Sequence, residues 1–157
     1  MMVLTMKNEQ IDKLDMTIVA ELRRNCRGSY RELASRVGIS PAALIERMRR
    51  LEKSGTVKGY SASLDFLKLG YEFMGMVRIA IEPGYLPEAE EKISRIHGVY
   101  AVYDVTGDYD AVAFVIARTR PEFSALIKKI LGVPHVRKTN TDTVLNVVKD
   151  PFSFNEI

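Results

Sequence analysis

The spacing of apolar positions changes once along this chain. Between residues 12 and 54 they recur every three or four places, as Leu14, Ile18, Val19 and Leu22, then Leu33, Ala34 and Val37, then Leu44, Met48 and Leu51. That period predicts three short amphipathic helices. Asp12 or Asp15 can cap the first, which ends near Asn25, with residues 26–28 as a loop. Ser29 can cap the second, and Glu32, three residues on, can reach back to the cap's own N–H. Gly38 falls where that helix must end in a left-handed conformation, which glycine tolerates best. Ser40 caps the third helix, Pro41 occupies its first position, where a missing N–H costs nothing, and Gly55 ends it.

Residues 56–64 predict a short strand or wing, and 65–72 a hinge. Beyond them the pattern becomes strand-like at 73–81, 99–106, 111–118 and 136–148, with helical stripes at 87–96 and 121–131. The order is β-α-β-β-α-β, a ferredoxin-like sheet with two helices on one face. The expected class is α+β: residues 1–10 a tail or extra strand, 11–60 a three-helix helix-turn-helix domain, 61–72 a hinge strand, 73–149 the ferredoxin-like domain, and 150–157 a tail. A sheet with one solvated face would be polar at alternate positions. Here Ala111, Ala113, Val115 and Ala117 interleave with Val112, Phe114 and Ile116, and Val77, Ile79 and Ile81 with Met74, Met76 and Ala80. A second copy of the sheet is the simplest cover for the open face; a chain tail or the wing folding over is the alternative.

Charge sharpens the picture. Residues 1–60 carry 12 Lys/Arg against 7 Asp/Glu, while residues 61–157 carry 11 against 13, so a basic front precedes a mildly acidic back. The basic residues Arg47, Arg50 and Lys53 lie opposite the apolar stripe of the third helix, with Arg49 at its edge. Two capped helices across a glycine turn, the second rich in arginine, form a DNA-reading helix-turn-helix. The plainer alternative is a small helical bundle with a solvated arginine face. The start of the third helix, Ser40, Ala42, Ala43, Glu46 and Arg47, would approach base edges, Arg47 as a bidentate donor to guanine. Tyr30, Arg31, Arg49, Arg50 and Lys58 are candidates for phosphate contact. Tyr30 can equally pack as a staple, and Arg49 or Arg50 can pair with Glu46 or Glu52 on its own helix.

Other chemistry finds little footing. One cysteine, Cys26, excludes an intrachain disulfide, and His97 and His135 have no partners at metal-ligand spacing, so no metal or cofactor is expected. No signal-peptide core or membrane-length apolar run is evident, so a cytoplasmic, nucleoid-associated protein is expected.

The segments LDMTIVAELRRN, RELASRVGISPAALIERMRRLEKSGTVKGY, VTGDYDAV and TNTDTVLNVVK together resemble the Lrp/AsnC (feast/famine) transcriptional regulators, over about residues 12–149. The resemblance implies a helix-turn-helix joined to an amino-acid-binding ferredoxin-like domain. It also implies sheet-mediated dimers assembling to octamers or larger discs, and effectors bound between subunits. It places the turn Gly107, Asp108, Tyr109 and Asp110 at the effector pocket, although a Gly-Asp turn is also an ordinary hairpin signal. An amino acid needs acceptors for its ammonium, which Asp110 or Asp108 could supply. It also needs donors for its carboxylate, from turn N–H groups or from Thr139 and Thr141, which match the family's threonines. The expected function is effector-modulated, sequence-specific binding of double-stranded DNA by a homo-oligomer, without catalysis. The rivals are a small-metabolite enzyme resembling porphyrin decarboxylases and an architectural DNA protein without an effector.

Overall fold

The computed structural model describes residues 11–148 and divides the chain into two compact units, one ending at Ser63 and the other spanning Leu64–Val148. The tails expected over 1–10 and 150–157 lie outside the described residues. Of the hinge expected over 61–72, residues 61–63 group with the first unit and the remainder with the second.

The first unit holds α1 (Lys13–Arg24), α2 (Tyr30–Val37) and α3 (Pro41–Lys53). Both aspartates act at the start of α1. Asp12 is the cap, its Oδ1 accepting from the Asp15 N–H at 2.8 Å, while the Asp15 Oδ2 accepts from the Asp12 N–H at 3.2 Å. Ser29 and Glu32 form the same reciprocal box on α2, and Ser40 accepts from the Ala43 N–H on α3. Gly38 takes φ 80° between α2 and α3, so the turn requires glycine there. Ile18, Leu33, Ala34, Leu44, Met48 and Leu51 form the buried centre. Each of the larger side chains contributes about 1.5–3 kcal/mol by leaving water. The strand or wing expected over 56–64 is not formed among the described residues: Val57 N–H turns back to the Leu51 carbonyl, and no described strand pairs with the segment. Extended backbone becomes a strand only where a neighbour receives its hydrogen bonds.

The second unit opens with a turn in which Tyr71 N–H reaches the Phe66 carbonyl and the Arg118 guanidinium bonds the Leu69 carbonyl. It continues as β1 (Phe73–Ile81), α4 (Leu86–Ser94), β2 (Val99–Asp104), β3 (Ala111–Ala117), α5 (Arg120–Leu131) and β4 (Val136–Thr143). The strands form one antiparallel sheet in the order β2-β3-β1-β4, the ferredoxin-like topology. Three strands are shorter than the apolar pattern predicts, β3 by one residue and the other two by more. β2 stops at Asp104 because its partner β3 begins at Ala111, and β4 stops at Thr143 because β1 runs out near Met74.

Val77, Ile79, Ala113 and Val115 pack beneath Ala89, Ile93, Leu126 and Ile130 of the two helices. The other face carries Met74, Met76, Val112, Phe114 and Ile116, all half-buried, beside Tyr103, which is 57% exposed. This open face is apolar across β2, β3 and the first half of β1, up to Arg78. It becomes polar along β4, where Lys138, Asn140 and Asp142 share it.

Candidate DNA interface and effector site

The caps and the glycine turn leave the start of α3 facing solvent. Ser40, Ala42, Ala43 and Glu46 are exposed, as are Arg49 one turn on, Tyr30 and Arg31 at the start of α2, and Lys58 beyond α3. Tyr30, 38% exposed, is not a core staple. Tyr60 donates its hydroxyl to Glu52 at 2.7 Å. Its phenol pKa is raised by burial first, then by Glu52 and the neighbouring Tyr30.

Arg47 and Arg50, expected at base edges and phosphates, make ion pairs within the helical unit. The Arg47 Nη1 donates to Asp12 Oδ2 and to Asp15 Oδ1, both at 2.7 Å, and the Arg50 Nη2 donates to Asp15 Oδ2 at 2.5 Å. Asp15 is fully buried, so one carboxylate on α1 receives two guanidinium groups from α3. The Arg47 hydrogen bond holds the Asp12 carboxyl below the usual carboxylate range, and Asp12 in turn raises the Arg47 pKa. The Nη1 of the guanidinium expected to read guanine is thus engaged by two carboxylates within the protein. Arg50 pairs across helices rather than with Glu46 or Glu52, while Arg49 makes no ion pair among the described residues.

In the second unit the turn after β2 is tied to β1. Ile81 N–H donates to Asp110 Oδ2 at 2.7 Å, Asp110 N–H to the Ile79 carbonyl at 3.0 Å, and Val105 N–H to the Asp110 carbonyl at 3.1 Å. Asp110 therefore anchors the turn with the carboxylate expected to meet a ligand. Gly107 and Asp108 remain exposed. Tyr109 lies 5.6 Å from the Arg78 guanidinium carbon and 5.9 Å from the Lys138 Nζ. Arg78 also donates to Asn140 Oδ1 at 3.1 Å and to Asp142 Oδ2 at 2.7 Å, so this cluster stands on the open face.

Thr139 and Thr141 pair with Ile79 and Val77, so they point to the helix-covered side. Within one chain, Tyr109 and the two threonines are on opposite faces of the sheet and do not line one pocket. Sequence reasoning named Asp15 only as a cap and missed its pairing with the α3 arginines, and it missed the Arg78–Asn140–Asp142 group. The arginine inside the apolar run FMGMVRIAI was the available signal for the latter. Among the described residues no cluster of three or more His, Cys, Asp or Glu could hold a metal, and no helix is long and apolar enough to cross a membrane.

A capped helix-turn-helix followed by a ferredoxin-like domain defines a DNA-binding regulator with a C-terminal ligand domain. Residues 11–52 match the AsnC-type helix-turn-helix domain, and residues 74–154 match the Lrp/AsnC ligand binding domain. An uncharacterized HTH-type transcriptional regulator of Pyrococcus furiosus is 36% identical, over 91% of this chain and 97% of that relative. The leucine-responsive regulatory protein of Haemophilus influenzae is 32% identical, over 91% and 89%. The solved feast or famine regulatory protein of M. tuberculosis, complexed with L-methionine, superposes with a TM-score of 0.84 at 30% identity, covering 90% and 97%. E. coli AsnC gives a TM-score of 0.80 at 28% identity, covering 90% and 96%. The chain belongs to the Lrp/AsnC family of transcriptional regulators, and it is not an enzyme.

Proposed function

We propose that this regulator reads a specific DNA site as a homo-oligomer and that an amino acid bound between its C-terminal domains sets its assembly or DNA affinity. On the DNA side, the exposed Ser40, Ala42, Ala43 and Glu46 face base edges, and Tyr30, Arg31, Arg49 and Lys58 meet phosphates. Arg47 and Arg50 hold α3 in place through Asp15 rather than reading bases. The apolar part of the open sheet face pairs with a second copy, and dimers assemble further, to an octamer or beyond. The protein works in the cytoplasm, on nucleoid DNA.

One observation carries the effector reading: the turn with Tyr109 and the threonines Thr139 and Thr141 lie on opposite faces of one sheet. A pocket using both takes the turn from one copy and the threonines from another, so ligand binding is coupled to assembly. Asp108, exposed on the turn, receives the ammonium, and the threonine hydroxyls with turn N–H groups receive the carboxylate. The methionine complex of the M. tuberculosis relative supports an amino acid as the ligand class. The test is a thermal-shift panel of amino acids, methionine and leucine included, on the wild type, Asp108→Asn and Thr141→Val. A concentration-dependent rise in Tm with one amino acid, lost in both variants, is expected. A flat wild-type response to the whole panel sinks the effector and leaves an architectural DNA protein.

A further inference from the structure

The helix-turn-helix unit contains a second basic surface, away from the exposed start of α3. A groove of about 850 Å³ runs between the C-terminal end of α1 and residues 56–63. Arg23, Arg24, Cys26 and Arg27 line one wall and Lys58 the other, and no carboxylate lines it among the described residues. The nearby acid, Glu21, is already shared between Arg24 at 3.3 Å and Arg36 at 2.9 Å. The wall that carries Arg27 is fixed in place: Asn25 Oδ1 accepts from the Arg27 N–H at 3.0 Å, and the Arg36 guanidinium bonds the Asn25 carbonyl at 3.5 Å. The opposite wall includes Tyr60, which is held by Glu52 and neighbours Tyr30 at the first residue of α2. The groove is therefore continuous with the helix start where phosphate contact is proposed.

We propose that this groove binds the sugar-phosphate backbone of duplex DNA flanking the site read by α3. The proposal rests on the DNA-binding reading of the same unit. Its cations are distributed along two walls and do not converge on one buried point, which suits a repeating polyanion better than a single small anion. A loop between the first two helices of a three-helix DNA-binding unit is also well placed to reach the backbone. The groove would add affinity and salt dependence while reading no sequence.

Two measurements on the full chain test this, using a duplex selected for binding. In the first, the slope of log Kobs against log salt is compared for wild type and Arg24→Ala/Arg27→Ala, with circular dichroism and Tm confirming the fold. Loss of two phosphate contacts lowers the slope by about 2 per subunit, at about 0.9 per contact, and leaves the preference for specific over random duplex unchanged. In the second, alkylation of Cys26, the one cysteine of the chain and an exposed one, is timed. A duplex extended by a helical turn on each side slows the reaction several-fold, and the minimal duplex does not. An unchanged slope, or protection that ignores duplex length, overturns the proposal. Protection by inorganic pyrophosphate alone overturns it in favour of a small-anion site. Wild-type protein that binds no duplex at low salt would instead defeat the DNA reading of the whole unit.

Discussion

Asp15→Asn isolates the interaction that most distinguishes this helix-turn-helix. The carboxylate is fully buried, with its side chain 1% exposed, and its two oxygens face Arg47 and Arg50 at 2.7 and 2.5 Å. Asparagine keeps the shape and an acceptor for the Asp12 N–H, so the capping bond can survive while the charge is lost. Removing one partner from a buried ion pair costs about 3–5 kcal/mol, mostly from the charge left behind. Here the arginines are 26% and 40% exposed and can partly rehydrate. The low end, about 3 kcal/mol, therefore applies to the first unit. Urea unfolding followed by far-UV circular dichroism measures it, with hydrogen exchange of α1 and α3 amides assigning the loss to the helical unit, since the two units need not unfold together. DNA affinity should fall with the destabilisation because α3 loses its tether to α1. A cost below about 1 kcal/mol, in the range of exposed ion pairs, would show that the cluster is solvated and refute the reasoning.

Three further outcomes follow from the same geometry. Arg47→Ala should weaken binding evenly across operator variants, measured by competition with single-base substitutions; relaxed preference at one guanine would restore Arg47 as a base reader. Asp12 has a depressed pKa, so its contribution is fully present above its ordinary value of 3.8 and lost as pH falls below that. Asp12→Asn should remove this acid-side loss from a stability–pH series between pH 5 and 2, and an unaltered series would refute the Arg47 contact. Phe114→Asp, on the open sheet face between Tyr100 and Tyr103, should dissociate the oligomer in sedimentation velocity while helical content is retained; an unchanged assembly would place the interface elsewhere.

Much of the helical unit was legible because its signals are local. A cap and its partner lie three residues apart, so Ser29 with Glu32, Gly38, and Ser40 with Pro41 announce their helices without reference to the rest of the chain. The sheet topology was legible for a related reason: the change in apolar period marks each strand and helix, and the handedness and connection rules leave few arrangements. Strand ends were less so, since a strand continues only as far as its neighbour does. The wing failed on the same ground.

What only the tertiary structure decided are the pairings between residues distant in sequence. Arg47 looked like a base reader because nothing nearby claims it; its claimant, Asp15, is 32 residues away and meets it only when α1 packs on α3. Asp110 looked unclaimed in the sequence, but its Oδ2 accepts the N–H of Ile81, 29 residues away. Parity alone put Thr139 and Thr141 on one side of β4, but register with β1 chose the helix-covered side, away from Tyr109. By itself the sequence determined which segments become helix and strand, because capping, glycine turns and apolar period act within a few residues. Which charges remain available to a partner depended on the fold, because a guanidinium or carboxylate is claimed by whatever tertiary packing brings to it.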